Sequence, residues 1–127
     1  MSSGVKALFL DRDGVINIDN GYVYKKEDFI FNDGIFELCI TAQKNKFKIF
    51  IVTNQSGIGR GYYSDLDFLS LNTWMINVFK KKGVNIENVY YCPHLPTDNC
   101  NCRKPKTEMV DLATQQYNLD LSRSILI

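Results

Sequence analysis

The chain's 127 residues are 45% hydrophobic and 23% charged, with a formal net charge of +1, values that suit one globular domain with its own core. Near-neutral charge leaves no electrostatic footprint for nucleic acid or an anionic membrane, and no apolar window reaches the length of a membrane span. Met1–Ser2–Ser3–Gly4 lacks the basic start of a secretory signal. The expectation is a single cytoplasmic domain over residues 1–127 with no nucleic-acid and no membrane partner.

Val5–Lys6–Ala7–Leu8–Phe9–Leu10 reads as a short, mostly apolar strand that ends at Asp11–Arg12–Asp13–Gly14. Residues 14–33 form a long polar and aromatic connection containing Asp19, Asn20, Gly21, Tyr22 and Tyr24. A loop of that length in a compact domain usually serves a function, here as the substrate-side loop. Gly34 to Asn45 predicts a helix with Ile35, Leu38 and Ala42 on one face and Asp33 as its cap. Phe47 to Val52 predicts a second strand, followed by the glycine-rich loop Thr53 to Gly61. Ser64 and Asp67 match a capping box for a helix running to about Lys82, where Gly83 ends it. Its buried side is predicted as Leu66, Leu69, Thr73, Ile76 and Phe79 or Lys80; Phe68, Trp74 and Phe79 read as packing residues. Ile86 to Tyr91 predicts a third strand, 92–103 a metal loop, and Lys106 to Tyr117 a helix with Pro105 in its first turn. Ser124–Ile127 predicts the start of a fourth strand.

Strands alternating with helices call for an α/β fold, a three-layer Rossmann-like parallel sheet with helices on both faces. Ligands gather beyond the carboxyl ends of such strands, where Asp11, Thr53 and Cys92 all fall.

Asp11 and Asp13 are an aspartate pair directly after a strand. Two close carboxylates push each other's proton affinities apart, so one can attack while the other carries a proton. Such a pair also anchors Mg²⁺. A pair of solvated turn residues fits the same pattern. The hydroxyl and N–H groups of Thr53–Asn54–Gln55–Ser56–Gly57 can hold phosphate oxygens, and Arg103–Lys104–Pro105–Lys106 adds positive charge at an expected helix start. A plain glycine turn and a surface charge run fit these two stretches as well. Cys92, His94, Cys100 and Cys102 form a closed set of three sulfurs and one nitrogen, which points to a structural Zn²⁺. Iron could take the same ligands, and reduced, unliganded thiols are the bland alternative. Cys39 reads as a core thiol.

Asp11–Arg12–Asp13–Gly14–Val15–Ile16–Asn17 resembles the first motif of the haloacid dehalogenase superfamily, Thr53–Asn54 the second and Lys104 the third. With Cys92–Pro93–His94 and Cys100–Asn101–Cys102 the pattern is similar to the branch acting on histidinol phosphate and D-glycero-D-manno-heptose 1,7-bisphosphate. The resemblance implies an Mg²⁺- and Zn²⁺-containing phosphatase of a small sugar phosphate, most closely the heptose bisphosphate. It makes Asp11 the nucleophile and Asp13 the acid and base. The Asp11 side chain and the Asp13 carbonyl would hold Mg²⁺, and Thr53, Arg103 and Lys104 would serve the phosphoryl group. Asp19, Asn20, Gly21, Tyr22, Thr53, Asn54, Gln55, Ser56, Arg103 and Lys104 would bind substrate. The branch's fourth motif follows the strand matching Ser124–Ile127, so the fold is expected to be C-terminally incomplete, with weakened Mg²⁺ binding and self-association at the open edge. Two other functions stay open: a catalytically impaired, zinc-stabilised phosphate-binding or assembly protein, and a histidinol-phosphate phosphatase.

Overall fold

The computed structural model describes residues 4–127; the reading of Met1–Ser3 as free of a signal lies outside them. Four strands form one parallel sheet: β1 (Lys6–Leu10), β2 (Phe47–Asn54), β3 (Ile86–Cys92) and β4 (Ile125–Leu126). Their order is β3-β2-β1-β4. The chain therefore walks outward from β1 to β3 and then returns to the other side of β1. That reversal makes the carboxyl end of β1 a topological switch point, where a crevice opens.

The near-continuous apolar runs of β1 and β2 arise because both sheet faces are covered. Side chains alternate between two cores. Leu8, Leu10, Ile49 and Ile51 pack on one face with Ile35 and Cys39 of α1 (Ile35–Lys44). After the four-residue helix α2 (Ser56–Gly59) comes α3 (Asp65–Lys81), whose Leu71, Met75 and Phe79 join that same core. Ala7, Phe9, Phe50 and Val52 point the other way, onto Met109 and Ala113 of α4 (Glu108–Tyr117). Each buried Leu, Ile, Val, Phe or Met among them contributes roughly 1.5–3 kcal/mol against leaving it in water.

Four local expectations are corrected. The buried stripe of α3 is Phe68, Leu71, Met75 and Phe79, while Leu66 is 76% exposed and Leu69 is exposed too. In the first turn it is Phe68 that faces Tyr91 of β3, at 4.2 Å between ring centroids, so Leu66 and Leu69 are turned toward solvent. Asp33 does not cap α1; Gly34 occupies that place at φ 82 with no side-chain cap. Leu38, expected on the buried face, is exposed. Finally, α4 starts at Glu108, so Arg103–Lys104–Pro105–Lys106 lies in a turn ahead of the helix rather than at its N-terminus. The capping box of α3 is present: the Ser64 Oγ accepts from the Asp67 N–H and the Asp67 carboxylate from the Ser64 N–H.

The 14–33 connection is pinned rather than loose. Ile16, Val23 and Phe29 are buried pegs in the first core. The Arg12 carbonyl accepts N–H bonds from Val15, Ile16 and Asn17, and the Asn32 amide bonds the Gly14 and Val15 carbonyls.

Candidate active site

Asp11 and Asp13 leave the carboxyl end of β1, and Thr53 and Asn54 end β2 beside it. The Asp11 backbone N–H donates to the Ile127 carbonyl, which fixes this turn against the far strand. The Asp11 carboxylate splits its work. Oδ1 accepts the Arg12 N–H at 2.7 Å, and Oδ2 faces the Lys104 Nζ at 3.1 Å. Lys104 is held in turn by Asn54, whose Oδ1 accepts the Lys104 N–H at 2.9 Å and whose Nδ2 donates to the Lys104 carbonyl at 3.3 Å. Asn54 thus clamps the backbone of the residue that neutralises Asp11.

Asp13 is surrounded by donors. Arg12, itself buried, donates to Oδ1 through Nη2 at 2.9 Å and is tied by the same nitrogen to the Val23 carbonyl. The buried Asn17 Nδ2 also reaches Oδ1, at 3.0 Å. Oδ2 accepts from the Gln55 Nε2 at 3.2 Å.

Asp13, Asp19, Gly21, Tyr22, Asn54 and Ser56 line one cavity of about 320 Å³, of the size that takes a small ligand. The structure therefore brings residues of both stretches predicted to bind substrate to the lining of one space beside Asp13. Asn20 is exposed and outside those walls, and Gln55 is turned into the protein with both ends of its amide engaged. Thr53 is buried, and its Oγ1 accepts from Gln55 at 3.0 Å. Arg103 has a buried Nη1 with no hydrogen-bond partner among the described residues. Sequence reasoning passed over Tyr63, whose hydroxyl donates to the Gln55 Oε1. No motif marks it; its signal is the tertiary fold alone.

The oxygen donors suit a hard cation. The Asp11 carboxylate is a third exposed, and among the described residues no donor reaches the Asp13 carbonyl. A second group of donors forms next to this site. Cys92 at the end of β3, His94, Cys100 and Cys102 bring their ligand atoms within 4.8 Å of one another. Cys92 Sγ lies 3.4 Å from His94 Nδ1 and 3.5 Å from Cys100 Sγ, and His94 Nδ1 lies 3.2 Å from Cys102 Sγ. The Cys92 and Cys102 sulfurs touch. Most of these spacings approach the edge of a tetrahedron of metal ligands, about 3.3–3.8 Å for bonds of 2.0–2.3 Å. The Lys106 Nζ donates to the Cys100 carbonyl at 2.7 Å, closing the loop that leads into Arg103 and Lys104.

A family model described as polynucleotide kinase 3 phosphatase matches residues 7–126. The chain is 54% identical over 122 residues to the D-glycero-alpha-D-manno-heptose-1,7-bisphosphate 7-phosphatase of Campylobacter jejuni, covering 96% of this chain and 70% of that protein. It belongs to the heptose-1,7-bisphosphate 7-phosphatase family of the haloacid dehalogenase superfamily. The D-glycero-beta-D-manno-heptose-1,7-bisphosphate 7-phosphatase of Helicobacter pylori is 49% identical over 123 residues, covering 96% of this chain and 71% of that protein. Among solved structures, the D,D-heptose 1,7-bisphosphate phosphatase from B. bronchiseptica, complexed with magnesium and phosphate, superposes with a TM-score of 0.84 at 30% identity, over 91% of this chain and 65% of that one. The chain thus spans about two thirds to seven tenths of the length of these relatives. No helix among the described residues is long and apolar enough to cross a membrane.

Proposed function

We propose that this chain carries the catalytic face of an Mg²⁺-dependent phosphatase that removes the 7-phosphate of a heptose 1,7-bisphosphate through an aspartyl-phosphate. The observation that carries the reading is the Lys104–Asp11 pair at 3.1 Å beside an Asp13 carboxylate wrapped in donors. An anionic nucleophile cannot approach an anionic phosphate unless the repulsion is neutralised. Lys104 supplies a cation on the nucleophile itself.

Asp11 attacks phosphorus, a P–O bond to its carboxylate forms, and the bond to the sugar oxygen breaks. Asp13 gives its proton to that departing oxygen. Asp13 then takes a proton from water as the water attacks the aspartyl-phosphate, releasing inorganic phosphate and restoring Asp11. Thr53, Arg103 and Lys104 hold the phosphoryl oxygens. The Asp11 carboxylate and the Asp13 carbonyl would hold Mg²⁺, which would supply further neutralisation of phosphoryl charge. The Cys92, His94, Cys100 and Cys102 set takes Zn²⁺ as a structural ion, because three thiolates and an imidazole close a tetrahedron with no open position. Its purpose is to fix the loop that delivers Arg103 and Lys104.

The test is phosphate release from both anomers of heptose 1,7-bisphosphate with Mg²⁺, against histidinol phosphate and a 3′-phosphorylated oligonucleotide. The bisphosphate is expected to turn over fastest. Asp11→Asn is expected to lower kcat by at least about a thousandfold. Phosphate binding without release from any of them would support the impaired binding protein instead.

A further inference from the structure

The buried amide of Gln55 joins two groups that meet the substrate. One N–H of its Nε2 goes to the Asp13 Oδ2 at 3.2 Å, the other to the Thr53 Oγ1 at 3.0 Å. Its Oε1 accepts from the Tyr63 hydroxyl. Its backbone N–H donates to the Cys92 carbonyl at 2.7 Å. An amide has two donor hydrogens and one acceptor oxygen, and here all are used.

The polarity of this chain has one solution. A reversed amide would point its oxygen at the Asp13 carboxylate, which can only accept, whereas the Tyr63 hydroxyl could meet either end of the amide. The carboxylate therefore fixes the NH₂ toward Asp13 and Thr53, and the Tyr63 hydroxyl holds the amide there by donating to Oε1. Tyr63 is in turn immobile: its ring stacks on Tyr24 at 5.2 Å and 11° between planes, and a side chain at Gly57 would overlap it.

The two Asp13 oxygens differ. Oδ1 is saturated by Arg12 and Asn17, whereas Oδ2 takes Gln55 alone. Oδ2 keeps a free lone pair, so it is the oxygen able to carry a proton to the leaving group. From this geometry we infer that Tyr63 and Gln55 form a positioning relay that aims the Asp13 Oδ2 at the leaving oxygen. The same relay occupies Thr53 Oγ1 as an acceptor and leaves its hydroxyl to act as a donor, here with only a long 3.5 Å contact to the Asn54 carbonyl. Both are positioning residues; neither touches substrate. The inference rests on the phosphatase reading above and adds what organises its acid.

Leaving-group dependence separates this role from a purely structural one. The kcat/KM value reports transfer to the nucleophile only. An alkyl phosphate such as the heptose bisphosphate needs a proton on its departing oxygen, whereas p-nitrophenyl phosphate departs as a stable anion. Tyr63→Phe keeps the ring and deletes the hydroxyl. It is expected to lower the alkyl-to-aryl ratio of kcat/KM by about tenfold, the effect of one ordinary hydrogen bond. Gln55→Leu is expected to lower that ratio at least as much. The double variant is expected to be no worse than Gln55→Leu, since Tyr63 acts through Gln55. An unchanged ratio, with both substrates slowed equally, or additive losses, would overturn the relay.

If the wild-type chain releases no phosphate, the phosphatase reading fails, and the relay is still measured by ¹⁵N NMR of the intact chain. The Gln55 side-chain NH₂ protons are expected to exchange slowly in wild type and at least about tenfold faster in Tyr63→Phe. Fast exchange in wild type, or no change in the variant, would overturn it.

Discussion

Gly57 and Gly59 lack side chains because other groups occupy the space. A Cβ at Gly57 would strike the Tyr63 ring, and one at Gly59 would lie 2.8 Å from the Pro93 carbonyl, which already accepts the Gly59 N–H. Close approach, more than flexibility, is what these glycines provide. Gly57→Ala is expected to cost about 1–3 kcal/mol by overpacking, read as a lowered urea midpoint. Asn54→Ala removes both bonds to the Lys104 backbone; kcat/KM is expected to fall roughly tenfold or more, and a value within twofold of wild type would show that Lys104 needs no clamp. Burial pushes the Tyr63 hydroxyl up to about 12, with Asp13 and Tyr22 adding to it and the Arg12 cation opposing. A raised pKa favours the protonated phenol in the fold. Its stabilisation is fully present below the ordinary tyrosine value of about 10 and is lost as pH rises through about 12. Absorbance titration of tyrosinate is expected to contain a late component that Tyr63→Phe removes. Asp11, Asp13, Thr53 and Lys104 stand out in the sequence because each lies within three residues of a strand end or a candidate metal ligand. Tyr63 does not, since its part depends on a ring stack and a missing Cβ that no local pattern announces.

Among the elements, α3 separates pattern from packing. Its sequence predicts a stripe starting at Leu66 and a second set of packing residues in Phe68, Trp74 and Phe79, with Phe79 common to both. The fold buries the other, because α3 leans on β2 and on the aromatic pegs of the 14–33 connection: Trp74 meets Phe29 at 5.5 Å and Phe31 at 5.8 Å. Met75→Ala is accordingly expected to cost about 2–5 kcal/mol, whereas Leu66→Ala should stay within about 0.5 kcal/mol. Chemical denaturation of the two variants checks this, and the reverse order would reinstate the first stripe. The strands were legible for a simpler reason: β1 and β2 are apolar at every central position, as a sheet covered on both faces requires. Cys39 was also read correctly as a core thiol; it is fully buried, and that burial pushes its pKa up to about 11.

At the scale of the whole molecule, the metal loop and the nucleophile are linked through Lys104, which follows Cys102 and Arg103 and is clamped by Asn54. With metal bound to Cys92, His94, Cys100 and Cys102, no thiol is expected to react quickly with a disulfide reagent, since Cys39 is buried. A strong chelator is expected to expose three thiols and abolish activity, with Zn²⁺ restoring both and Mg²⁺ restoring neither. A single reactive thiol before chelation would instead indicate a Cys92–Cys102 disulfide. At the opposite edge, Ile125, Leu126 and Ile127 are 48%, 60% and 46% exposed on the outermost strand. An apolar edge of this kind pairs with other chains. Self-association of these 127 residues is expected in sedimentation and should be relieved by Leu126→Lys; a monomer at all concentrations would exclude that role for β4.

Everything catalytic depends on Asp11 becoming phosphorylated. During steady-state turnover of the bisphosphate, acid quench followed by reduction with tritiated borohydride, which converts an aspartyl phosphate to homoserine and releases its phosphate, should place tritium at Asp11 on peptide mapping, absent from Asp11→Asn and increased in Asp13→Asn, where hydrolysis of the intermediate is slowed. Modification at Asp13, Thr53 or Ser56, or turnover with no trapped aspartyl group, would contradict the account.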